Sequence, residues 1–185
     1  MINEAIIKGN SGGKLAVFDL DDTLIFSSAR IQVLNKKGKT IKTLSPSEFN
    51  FFSLDSSKHD LSFDEFESMD ILRESKFINH ILKKLKAYYR SGVHVCILTA
   101  RSNSKLIRAF FLENGIDIHT DLVIAVNDPQ YSFKGNVAQK KSEALRLLID
   151  AGYRDFIFFD DNQDNLDHAK ELEKEADVKV ETIKV

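Results

Sequence analysis

The sequence predicts an α/β protein: a three-layer, doubly wound parallel sheet with a small cap-like insertion after its first strand. Three observations predict it. Continuous apolar runs at residues 15–18, 93–98, 122–126 and 156–159 fit strands covered on both faces. Amphipathic helical stretches alternate with these runs, as a parallel sheet requires. Three of the runs stop abruptly at polar, mostly acidic residues, and the carboxyl ends of parallel strands are where such folds bind ligands.

Each element follows in order. Residues 15–18 give the first strand. From about residue 26 to 70 the rhythm breaks, and this stretch is expected as an insertion inside one domain spanning 1–185. It opens with a hairpin, 31–34 and 40–44, around the turn Asn35-Lys36-Lys37-Gly38. Ser45-Pro46-Ser47-Glu48 then reads as a helix start with proline in the first turn. A Phe-rich, acidic segment follows; Phe49, Phe51, Phe52, Phe63 and Phe66 are expected to pack the insertion onto the sheet, with an aromatic platform for bases as the alternative. A helix is expected over 71–89, with Ile71, Phe77, Ile78, Ile81, Leu82, Leu85 and Tyr88 on one stripe and Gly92 near its end. After the strand at 93–98, Ser102 is expected to cap a helix that stops at Asn114-Gly115. Helices over 137–151 and 162–176 flank the strand at 156–159, and 178–185 alternates like an edge strand.

Composition narrows the classes. With 185 residues, 43% apolar and 29% charged, the chain has the balance of an ordinary globular domain. A net charge of -2 favours neither nucleic acid nor an anionic membrane surface, and the apolar runs are too short to span a bilayer. The N-terminus, 1–14, lacks the apolar stretch of a secretory signal. One cysteine, Cys96, excludes an internal disulfide framework and a cysteine zinc cluster. A cytoplasmic protein without an obligate protein partner is the expectation. Cys96 reads as a buried thiol, and His94 as a packing residue on the same face. Arg30, Lys36, Lys37, Lys39 and Lys42 crowd the hairpin; solvated turn lysines and contacts to a polyanionic substrate are the two readings.

The strand ends carry the chemistry. Asp19-Leu20-Asp21-Asp22-Thr23 follows the first run, Thr99-Ala100-Arg101 the second, and Asp160-Asp161-Asn162 the fourth. Gathered at one sheet edge, like charges require a neutralising cation, and oxygen-only ligands select a hard one such as magnesium.

In these segments the chain resembles the haloacid dehalogenase (HAD) superfamily. Val17-Phe18-Asp19-Leu20-Asp21-Asp22-Thr23-Leu24 looks like its Asp-x-Asp-x-Thr motif, and Ile97-Leu98-Thr99 like the strand ending in threonine or serine. Lys141-Ser142-Glu143-Ala144-Leu145 looks like the lysine motif, and Phe158-Phe159-Asp160-Asp161 like the acidic fourth motif. The resemblance implies a phosphomonoesterase working through an aspartyl phosphate. Asp19 would be the nucleophile, Asp21 the general acid and base, and Thr99 and Lys141 ligands of the transferring phosphoryl group. Magnesium would be held by Asp19, the Asp21 carbonyl and Asp161, with Asp160 behind them. Lys140 and Lys134 compete with Lys141, which is preferred because Ala144 and Leu145 then lie at i+3 and i+4. Asn165 stands where many relatives carry an acid.

Thr99, Ala100 and Arg101 are expected to face substrate, although Arg101 could equally make a surface salt bridge. In the superfamily the insertion point is that of a cap. A short cap leaves the site open, which suits nucleotides, nucleic-acid ends or other macromolecular phosphate esters. A phosphotransferase or mutase and a non-catalytic binding module are the competing readings.

Overall fold

The computed structural model describes residues 13–49 and 51–185; the N-terminal stretch up to residue 12, where no secretory signal was read, lies outside them. Five strands form one parallel sheet: β1 (Lys14–Phe18), β7 (His94–Thr99), β8 (Val123–Ala125), β9 (Asp155–Asp160) and β10 (Lys179–Lys184). Their spatial order is β10-β9-β1-β7-β8. The chain therefore winds outward from β1 through β7 to β8, then crosses back to β9 and continues to β10. The change of direction falls between β1 and β9, so a crevice opens beyond their carboxyl ends. The alternating segment expected at the edge is β10, paired in parallel with β9.

Helices cover both faces. Right-handed crossovers put α3 (Asn79–Arg90) and α4 (Ser104–Glu113) on one side, α5 (Val137–Asp150) and α6 (Gln163–Glu175) on the other. Side chains agree. The rings of Phe18 and Phe159 stack at 4.5 Å beside Tyr88 of α3. Phe158, one residue earlier and on the opposite face, lies 5.9 Å from the Lys141 ammonium of α5. The helix read from Ser102 starts one residue later: Asn103 is its cap and accepts the Leu106 N–H. Asn136 and Gln139 close a reciprocal capping box at the head of α5. Cys96 is buried, and burial pushes its thiol pKa up; His94 bonds the Tyr153 hydroxyl at 2.7 Å. Among the described residues, no helix is long and apolar enough to cross a membrane.

The single helix expected over 71–89 is two. α2 (Met69–Glu74) ends, the chain extends through β6 (Lys76–Phe77), and α3 begins at Asn79. Two backbone demands break it. Residues Ile25–Phe26 (β2) pair antiparallel with β6, and the Ile78 N–H donates to the Leu24 carbonyl at 2.8 Å. The expected apolar stripe has two destinations: Ile78, Ile81 and Leu85 join the main core, while Ile71 packs against the insertion.

The insertion carries its own sheet of β3 (Ile31–Asn35), β4 (Thr40–Leu44) and β5 (His59–Ser62), in the order β4-β3-β5. The expected hairpin is present as β3 (Ile31–Asn35) and β4 (Thr40–Leu44). The Asn35 side chain accepts the N–H groups of Lys37 and Lys39 in the turn, and Gly38 takes a φ of 76° there. Ser45 and Glu48 cap each other at the start of the short α1 (Pro46–Phe49). The third strand, β5 (His59–Ser62), was not expected. Its sequence holds one apolar residue, Leu61, and it pairs with the remaining edge of β3. The phenylalanines do not pack onto the parallel sheet as expected. Phe66 is buried with Ala29, Ile31, Val33 and Leu44, and Phe49 and Phe52 pack against them in a separate cluster. Phe51 is 90% exposed. A Phe-rich segment of this size builds its own small core because three strands and a short helix leave one apolar face to cover.

Phe159 is the ring on which α3 and β1 meet. Replacing it with alanine is expected to cost about 3–5 kcal/mol, read as a lower urea midpoint by circular dichroism. An unchanged midpoint would show that α3 does not depend on that stack.

Candidate active site

Strand alternation decides which acids meet. Phe18 faces α3, so Asp19, continuing β1 through its N–H to the Phe159 carbonyl at 2.9 Å, turns toward the α5 side. On β9 the same rule puts Asp160 on the side of Phe158. Both carboxylates meet Lys141, whose ammonium donates to Asp19 Oδ1 and Asp160 Oδ2, each at 2.7 Å. Lys141 is 2% exposed, Asp19 5% and Asp160 0%, so this is a buried cluster rather than a surface ion pair. Ala144, Leu145 and Leu148 are buried on the same helix and fix the face that carries it.

The other lysines lie elsewhere. Lys140 donates to the Asn127 side chain at 2.6 Å, and Lys134 is exposed. One residue along the helix turns about 100° away, which separates Lys140 from Asp19.

Asp160 and Asp161 differ sharply in surroundings. Asp160 Oδ1 accepts the Asn162 N–H at 2.8 Å and the Asn165 amide at 2.9 Å; its Oδ2 accepts Asn165 as well as Lys141. Its acceptor capacity is filled by protein donors. Asn165, where an acid was the family pattern, is thus a donor that holds Asp160. The Asp161 carboxylate receives no hydrogen bond from another described residue, while its backbone N–H donates to Thr23 Oγ1 at 3.1 Å. Thr23 is fully buried and joins the loop after β1 to the loop after β9. Burial, then the charges of Asp160 and Asp22, pushes the Asp161 carboxyl up to about 6.

Burial likewise drives the Asp19 carboxyl upward, opposed by the Lys141 ammonium and reinforced by Asp160 and Asp21. Burial alone would lower the Lys141 pKa, but the charges of Asp19 and Asp160 outweigh it and hold the ammonium protonated.

Arg101 is neither exposed nor free. Its side chain is 2% exposed and grips Asp21 with both arms, Nε to Oδ2 at 3.0 Å and Nη2 to Oδ1 at 2.7 Å. Its remaining donors reach Ser27 Oγ at 3.1 Å and the Phe66 carbonyl at 3.2 Å. It therefore bridges the loop after β1 to the insertion. Beside it, Ser102 and Asn103 bond the Glu67 carboxylate, a second tie across the same gap. Ser27, Phe66 and Glu67 carry no motif, so nothing in the local sequence marks them as partners of this loop.

Thr99 ends β7, 1% exposed, with its Oγ1 accepting the Arg101 N–H at 3.3 Å. The Ala100 carbonyl accepts from Asn127. Asp22, at a φ of 58°, turns the loop so that its N–H meets the Ile25 carbonyl. Together these residues line a cleft of about 480 Å³. The core supplies Asp19, Asp21, Thr99, Lys141 and Asp161; the insertion supplies Ile31, Pro46, Phe49, Phe63 and Phe66.

Oxygens of Asp19, Asp160 and Asp161 lie within 4.8 Å of one another. With Asp21 paired to Arg101, Lys141 is, among the described residues, the cation paired with Asp19 and Asp160, and Asp22 and Asp161 beside them add a surplus of negative charge. An all-oxygen donor set with surplus charge fits a hard divalent cation. Because Asp160 is already saturated, the second oxygen of Asp19 and the carboxylate of Asp161 are the donors best placed to hold one. No protein-family model matches the chain, and no curated protein matches its sequence.

Lys141→Met is expected to lower stability by about 3–5 kcal/mol, because it leaves Asp19 and Asp160 buried against each other. The double variant with Asp160→Asn should regain part of that loss in thermal unfolding. Additive losses would show that the ammonium does not couple to Asp160.

Proposed function

We propose that this chain is a magnesium-dependent phosphomonoesterase of HAD type that forms an aspartyl phosphate, a mixed anhydride, on Asp19. One observation carries the reading: four segments far apart in sequence bring Asp19, Asp21, Thr99, Lys141 and Asp161 to a single cleft, with one Asp19 oxygen bonded to Lys141 and the other accepting no hydrogen bond from a described residue. A buried carboxylate oriented by an ammonium, with an acid two residues on, is the equipment of covalent phosphoryl transfer.

In the proposed reaction the Asp19 oxygen attacks phosphorus, the bond from phosphorus to the ester oxygen breaks, and Asp21 delivers a proton to the departing alcohol. Water then attacks the aspartyl phosphate, giving its proton back to Asp21, and inorganic phosphate leaves. Asp21 accepts from Arg101 through both oxygens, so it must release one of those bonds and take a proton from solvent before it can protonate the ester oxygen. Thr99 and Lys141 offer a hydroxyl and an ammonium to the phosphoryl oxygens, where negative charge must be stabilised. Magnesium, held by Asp19, the Asp21 carbonyl and Asp161, would supply Lewis-acid stabilisation of that charge. Asp160 contributes by fixing Lys141.

Phosphate release from p-nitrophenyl phosphate tests the reading. Activity should need magnesium and vanish with a chelator, and Asp19→Asn should lower kcat roughly 10⁴-fold or more. Turnover that survives in Asp19→Asn would sink the covalent route.

Asp21→Asn should cost about 10²–10⁴-fold on alkyl phosphates, and much less on aryl phosphates, whose leaving groups need no proton. Equal losses on both classes would deny Asp21 the acid role.

A further inference from the structure

We infer that the cleft takes a phosphomonoester whose organic half is a planar aromatic body, stacked against the insertion's phenylalanines. The inference rests on the phosphomonoesterase reading for the phosphate end and on separate observations for the other end.

Three rings run in sequence from the catalytic loop. Phe66 lies 4.9 Å from the Arg101 guanidinium that holds Asp21. Phe63 follows, its ring 6.2 Å from Phe66, and Phe49 lies 5.7 Å beyond Phe63, nearly perpendicular to it at 86°. All three line the same cleft as Asp19. Phe66 is buried in the insertion's core, but Phe63 is 44% exposed. A ring that packs on one side and lines a cleft on the other leaves apolar surface open to solvent, the signature of a binding face.

The volume, and the apolar wall that the insertion gives the cleft, favour a flat body on that side over a polar one. About 480 Å³ is the size of a small-molecule site, and a phosphoryl group fills little of it. Ile31, Pro46, Phe49, Phe63 and Phe66 offer no side-chain hydrogen bond. A sugar body placed there would surrender its bonds to water without replacement. A flat π-system loses nothing comparable and gains offset or edge-on ring contacts. Nucleobases and simple aryl groups share this chemistry.

Binding separates this inference from turnover. Calorimetry with Asp19→Asn and magnesium would compare adenosine 5′-monophosphate, phenyl phosphate and glucose 6-phosphate. The aromatic esters should bind about 10-fold or more tightly than the sugar phosphate. Adding Phe63→Ala should bring the ratio of affinities near one, with circular dichroism confirming that the insertion stays folded. Tighter binding of the adenine ester than of phenyl phosphate identifies a nucleobase as the source; equal binding identifies a simple aryl group. Glucose 6-phosphate binding as tightly as either, a ratio unmoved by Phe63→Ala, or no binding of any ester would overturn the inference. Phosphate release by the unsubstituted chain reports on the phosphatase reading alone, whichever way the affinities fall.

Discussion

A buried ammonium between two buried carboxylates is the constraint on which the rest of this structure depends. Asp19 and Asp160 sit at the ends of neighbouring strands, β1 and β9, held side by side by the ladder. Without a cation between them, two desolvated anions at that distance would be strongly unfavourable. Lys141 removes the difficulty, but only if α5 lies at one height and one rotation against the sheet. The capping box at Asn136 and the buried stripe through Leu148 set both. The requirement for charge balance thus reaches back into helix placement, and the fold and the site share one solution.

A second buried cation does similar work for the insertion. Its hydrophobic cluster is separate from the main core, so packing alone leaves its position over the cleft weakly determined. Arg101 fixes it by holding Asp21 on one side and the Phe66 carbonyl and Ser27 hydroxyl on the other. Glu67 repeats the tie with Ser102 and Asn103. Such polar ties are directional in a way that apolar contact is not. They place the phenylalanines at a fixed distance from the loop after β1. They also mean that any displacement of Asp21 is felt at Phe66, through a single side chain.

Much of this was legible in the sequence, for identifiable reasons. Parallel strands buried on both faces announce themselves as unbroken apolar runs, and polar residues where the runs stop mark the binding edge. Lys141 was separable from Lys140 because helix periodicity ties it to Ala144 and Leu145. What escaped notice depended on distant partners. The break at Ser75 arises from pairing with Ile25 and Phe26, which no local pattern near residue 75 encodes. β5 has almost no apolar alternation and exists because β3 offers it an edge. Arg101 looked like a surface or substrate contact because its environment is built in part by residues 27 and 66, in a segment whose fold the periodicity did not resolve.

Asp160 and Asp161 show how one step along a strand divides labour. Alternation sends Asp160 to the α5 side, where Lys141, Asn162 and Asn165 consume its oxygens. Asp161 leaves the strand, is held by its backbone to Thr23, and keeps its carboxylate facing the cleft. Exchanging their positions would put an unsatisfied acid inside and a saturated one outside, so an acidic pair here is not two copies of one function. The inner acid sets the lysine that orients Asp19, and the outer acid remains available to a cation. A substitution at either position therefore acts on different chemistry: one on the geometry of Asp19, the other on the charge that faces the cleft.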